Sequence, residues 1–152
     1  MIARGTFLVP TLVAPLWVIR RAERDPGSVP AWAVAKGRTV VGAHKDSFRM
    51  AVEMGVTIAM GTDHGVGPHG TNAEEIAVMV EGGLTPMQAI VASTSVAAKC
   101  CRVDHLVGTL APGMRADIIA IDGDPLSDIA ILQDQARLRL ILQDGHAYKQ
   151  VA

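Results

Sequence analysis

Asp63 and His64 stand at the end of an apolar run, Val56-Thr57-Ile58-Ala59-Met60, between Gly61 and Gly65. The run reads as a strand buried on both faces, as in a parallel sheet covered by helices. The two glycines let the chain turn where the polar residues leave the sheet. In parallel α/β folds ligands bind and chemistry occurs at that edge. A carboxylate there can hold a divalent metal or take a proton from an attacking water. The same residues also suit a turn or a helix cap, so the short motif alone leaves both roles open.

The elements that must position this pair come from 152 residues, 49% of them hydrophobic, enough for one domain with a real core. A complete eight-stranded α/β barrel needs about 250 residues, so this chain is too short for one. The net charge of -1, the lack of a Lys/Arg run and an aromatic content of 3% argue against nucleic acid as a partner. Cys100 and Cys101 are adjacent, which suits neither a strain-free disulfide nor a zinc ribbon. They read as small buried apolar residues at a helix end in a reducing compartment, and a cytoplasmic location is the expectation. The apolar stretch 7–19 is interrupted by Pro10 and Pro15 and is too short to span a bilayer, so neither a membrane span nor a signal peptide is expected.

Thr6 to Leu12 has strand composition, with Pro10 confining it to an edge or a strand end. Pro15 suits an early helical turn, and Asp25 to Pro30 reads as an exposed loop. A helix is expected from Ala31, burying Trp32, Ala33 and Ala35 and breaking near Gly42; a second runs from Lys45 to Met54 and stops at Gly55. Thr71 with Glu74, and Thr85 with Gln88, have capping-box spacing. The first helix ends at Gly82-Gly83, and the second runs on to about Cys101 with Leu84 stapled onto Ala89. Strands are expected over 107–110, 116–121 and 138–142, with Asp144-Gly145 as a hairpin turn.

Taken in order, several stretches resemble the metal-dependent amidohydrolase superfamily, in particular its imidazolonepropionase-like and dipeptidase-like branch. They are Arg4-Gly5-Thr6-Phe7-Leu8-Val9-Pro10-Thr11-Leu12, then Gly55 to Asp63, and Pro68-His69-Gly70-Thr71-Asn72-Ala73-Glu74-Glu75. Gly83 to Ile90, Gly108 to Ile118 and Asp124-Pro125-Leu126-Ser127-Asp128-Ile129 complete the series. The resemblance implies an α/β fold: the C-terminal part of a (β/α)8 TIM barrel, with part of a flanking composite β-sandwich. Residues 1–104 would be barrel with closing helices, and residues 105–152 sandwich. Asp63 falls on the family's strand-eight aspartate, a metal ligand and the general base toward the hydrolytic water. His69, on the loop over the barrel mouth, matches a recurrent His-Gly and would contact substrate or anchor the loop. His64 takes a supporting or solvent role, Asp117 a structural one, and His44, His105 and His146 lie away from the mouth.

The pattern also implies a divalent metal, zinc by preference, as one or two ions. Its other ligands are a His-x-His pair, a carboxylated lysine or glutamate, and two further histidines, none of which this sequence contains ahead of Arg4. The expected activity is hydrolysis of a carbon–nitrogen bond in a small amide: a dipeptide, an N-acyl amino acid or a cyclic amide. The chain by itself is expected to be inactive and to associate, as a homo-oligomer or with a complementing N-terminal half, because two barrel strands expose sheet edges. Deamination of a heterocycle and a non-catalytic assembly role are the rival expectations.

Overall fold

A computed structural model describes residues 1–151. Five helices come first: α1 (Val13–Arg24), α2 (Ala31–Glu53), α3 (Glu74–Glu81), α4 (Pro86–Ser93) and α5 (Ser95–Cys100). Three strands follow, β1 (Ile118–Ile121), β2 (Leu138–Gln143) and β3 (His146–Gln150), forming an antiparallel sheet in the order β1-β2-β3. Asp144 and Gly145 make the β2–β3 turn with φ of 50° and 80°, the left-handed pair that matches strand twist in a two-residue hairpin.

The two extended segments that precede α1 and follow α2 meet in one parallel bridge, Leu8 to Ile58. Leu8 N–H donates to the Thr57 carbonyl and Ala59 N–H to the Leu8 carbonyl, both at 2.9 Å. The expected strands therefore narrow to a single rung. The Ile58 N–H and C=O lack hydrogen-bond partners among the described residues. A parallel strand is completed by a ladder on each side, and here the side away from Leu8 carries no ladder at Ile58; the next amide on that side, Met60 N–H, donates to the Ala92 carbonyl at 3.0 Å. Beneath this pair, Val13, Phe48, Ile58, Met79, Leu84 and Ala89 pack into one core that gathers α1 to α4.

Local signals decide most helix ends. Thr85 Oγ1 accepts from Gln88 N–H at 3.2 Å and Gln88 Oε1 accepts from Thr85 N–H at 2.8 Å, so the second capping box forms as expected. α2 and α3 end before Gly55 and Gly83, each closed by the paired backbone hydrogen bonds of a Schellman motif.

Elsewhere packing overrides the local reading. α2 runs straight through Gly42, because one exposed glycine inside a 23-residue helix costs only about 1 kcal/mol. Trp32 is exposed, and the buried positions on that helix are Phe48 and Gly37, where α1 crosses close enough that an added Cβ would meet Ile19 at 3.5 Å. The helix expected to reach Cys101 breaks at Thr94, with φ -122° and ψ -93°. Ser93 and Thr94 turn their hydroxyls back onto the Ala89 and Ile90 carbonyls, a competition that bends helices. Residues 107–110 are not a strand: Gly108 has φ 95° and lies so close to α5 that a Cβ would fall 2.6 Å from the Ala98 Cβ. Cys101 is exposed and Cys100 half-buried, so the pair is not the buried filler expected. The short 3₁₀ turn Ile129–Gln133 packs against α3 through the buried Ile131 and joins the sheet region to the helices.

Candidate active site

Asp63 lies on the turn beyond the Ile58 segment with φ 48°, and Thr11 lies beyond the Leu8 segment with φ 49°. Aspartate adopts this left-handed conformation at little cost, and threonine less readily. The segments touch just before these turns. A Cβ on Gly61 would stand 2.4 Å from Val9 Cγ1, so only glycine permits the approach. The Asp63 residue is exposed, free to meet a ligand or a second molecule.

His64 is half-buried and its Nε2 lies 3.0 Å from Thr71 Oγ1. The Thr71 hydroxyl donates its one proton to the Pro68 carbonyl at 2.8 Å, so Nε2–H is the donor toward Thr71. In the neutral ring Nδ1 is then the bare nitrogen, and it is buried without a hydrogen-bond partner among the described residues. His69 is exposed with its ring 6.3 Å from that of His64. The expected box between Thr71 and Glu74 does not form, because each side chain has a stronger partner. Thr71 bridges His64 and Pro68, while Glu74 pairs with Arg20, whose guanidinium lies 5.2 Å from the Trp17 ring. Trp17 in turn lies against Gly67, so α1 supports the loop that follows Asp63. His44 Nε2–H donates to the Pro10 carbonyl at 2.8 Å; His105 and His146 are exposed in the tail.

Sequence reasoning missed Glu75. This residue is fully buried, and its two oxygens accept from Leu12 N–H at 2.9 Å and Val13 N–H at 2.8 Å. Those amides are the unpaired donors at the start of α1. A signal was available: Glu75, Val78 and Met79 share one buried helical face by their spacing, and an acid on such a face needs a partner.

Burial pushes the Glu75 carboxyl up from 4.5 to about 7, against the two N–H donors that favour its charged form; Glu74 and Asp63 add to the rise. The folded protein binds this proton more tightly than the unfolded chain. Glu75 therefore contributes stability that is complete below about pH 4.5 and is lost as the pH climbs through about 7. At about 1.4 kcal/mol per pKa unit, the swing is about 3 kcal/mol. Urea midpoints measured from about pH 5 to pH 8 should show it in the wild type and not in Glu75→Gln. An equal decline in both proteins would remove Glu75 as the cause.

Among the described residues no three metal-ligating side chains gather. A zinc centre needs about three protein ligands, so Asp63 fits as one ligand and the chain does not fit as a whole centre. Two open grooves exist, one between Val52, Ile58, Leu84 and Val91, the other on the sheet at Ile119 and Tyr148. Asp63 lines neither.

Comparisons with known proteins share one theme. The family model described as "Amidohydrolase family" matches residues 1–147. Ochratoxinase from Aspergillus niger is 36% identical over 117 residues, covering 76% of this chain and 24% of that protein. A crystal structure of a Xaa-Pro dipeptidase with bound methionine in its active site superposes with a TM-score of 0.87 at 38% identity, over 98% of this chain and 36% of that one. Adenine deaminase from Methanococcoides burtonii is 51% identical over 43 residues, 28% of this chain and 7% of that protein. The chain thus spans about a quarter of the length of its curated relative ochratoxinase.

Proposed function

Because this chain belongs to the amidohydrolase family, we propose that it carries Asp63 as the proton-handling carboxylate of a hydrolase that cleaves carbon–nitrogen bonds in small amides. The observation that carries this reading is the position of Asp63: exposed, on the turn where a paired extended segment ends. A carboxylate at that point can accept the proton of an attacking water and return it to the leaving amine. His64, held by Thr71, supports the turn from behind, and His69 on the same loop is our candidate for substrate contact. A divalent metal, zinc by preference, would supply Lewis acidity, with Asp63 as one of its ligands. The remaining ligands would come from outside these 152 residues.

The same reasoning makes residues 1–104 a piece of a barrel and 105–152 a piece of a flanking β-sandwich. The open Ile58 edge and the apolar groove beside it support association, with a second copy or with a complementing half. Substrates are taken to be dipeptides or N-acyl amino acids, in line with the Xaa-Pro dipeptidase neighbour. Heterocycle deamination is the second reading, and the short match to adenine deaminase is what favours it.

An assay of an active preparation containing this chain, on a panel of Xaa-Pro dipeptides, N-acyl amino acids and adenine, separates the two. Amino-acid release is the expected product. Ammonia from adenine without amino-acid release from any amide would reverse the assignment. The purified chain with zinc alone should show negligible turnover on the same panel, and substantial hydrolysis would refute the claim that its metal centre is incomplete.

A further inference from the structure

We propose that Glu75 is a positioning residue for Asp63, joining through its buried carboxylate the helix that follows the Asp63 loop to the turn that follows the neighbouring segment. The inference rests on the reading of Asp63 given above. Glu75 stands near the start of α3, and α3 is where the loop that leaves Asp63 re-enters regular structure. Its oxygens hold Leu12 and Val13, immediately after Thr11. One side chain therefore ties together the two neighbouring segments that end in Thr11 and Asp63. Both of these residues have left-handed backbones, and the segments leading to them touch at Val9 and Gly61 without slack.

The arrangement is suited to aiming a group rather than to reacting. Glu75 is fully buried and both its oxygens are engaged, so it is out of reach of any substrate. A two-point clamp removes rotation as well as separation between α1 and α3, whereas apolar packing alone would allow them to slide. A shift of about 1 Å in a catalytic group can lower turnover about a hundredfold, so what fixes that distance is read in kcat.

In an active preparation, Glu75→Gln keeps one oxygen for the amides and should lower kcat about tenfold, with KM within about threefold; Glu75→Ala should lower kcat about a hundredfold. Rates are scaled to the folded fraction, so a residue that served stability alone would leave kcat unchanged. Wild-type kcat per folded molecule in both variants would overturn the proposal, as would a loss confined to KM. Asp63→Asn run alongside separates the failures. If it abolishes turnover while both Glu75 variants keep wild-type kcat, only the positioning role falls. If it leaves turnover intact, the reading of Asp63 falls and takes this one with it. Should both Glu75 variants fail to fold, amide hydrogen exchange in the wild type decides: strong protection at Leu12 and Val13 is expected, and fast exchange at both would overturn the clamp.

Discussion

Asp63→Asn should lower kcat about a thousandfold in an active preparation containing this chain, while Tm stays within about 2 °C of the wild type. The substitution is chosen for its backbone. Asp63 sits at φ 48°, where asparagine is as comfortable as aspartate, whereas alanine would add strain of about 1 kcal/mol. The introduced amide has almost the same shape as the carboxylate and cannot take a proton at neutral pH, so the change removes basicity and the negative charge offered to a metal while leaving the backbone and packing alone. An interaction made only as the proton moves is lost equally from kcat and kcat/KM, which is the pattern expected. A variant that retained more than about a tenth of the activity would leave another group as the base. If metal content and every function were also intact, the non-catalytic assembly role would gain the ground.

The second large effect is on stability. Glu75→Ala, measured near pH 5 where burial of its charge does not intrude, should destabilise the fold by about 3 kcal/mol. Two buried amides, Leu12 and Val13, lose their acceptors, and the removed side chain leaves a void beside Met79 and Val78 on the same helical face. For a chain of this length that corresponds to a Tm lowered by about 8 °C. Glu75→Gln should lose roughly a third as much, since it keeps a carbonyl oxygen for one amide. The Ala penalty should also shrink near pH 8, where the wild type itself carries an unfavourable buried charge. Equal Tm values for Ala and wild type at pH 5 would show that the α1 amides find other partners.

Much was legible in the order of residues because it depends on neighbours a few positions apart. The Thr85/Gln88 box, the stops at Gly55 and Gly83 and the Asp144-Gly145 hairpin each need one or two local dihedrals or one short hydrogen bond. The turn at Asp63 belongs to the same class: an apolar run closed by glycines announces where a polar residue must leave the core. Membership of the amidohydrolase family was readable for a similar reason, in a series of short stretches kept in order along the chain.

What only the folded chain decided are the choices between partners far apart in sequence. Glu74 had the spacing to cap with Thr71, yet Arg20, 54 residues away, took it, because a local hydrogen bond yields when a charged partner arrives from another element; Thr71 itself was diverted within its own loop, to His64 and Pro68. Gly42 could not end a helix whose other turns gain from packing, and Gly37 rather than Trp32 went inside because α1 crosses there. Glu75 is the sharpest case. Its 63- and 62-residue separations from Leu12 and Val13 are invisible to any local pattern, and the burial that raises its pKa exists only once α1, α3 and the two extended segments close around it. The sequence by itself determined where a carboxylate leaves the core; tertiary structure decided which side chain ties that loop's helix to the neighbouring turn, since burial and long-range hydrogen bonds are properties of assembled elements and not of neighbouring residues.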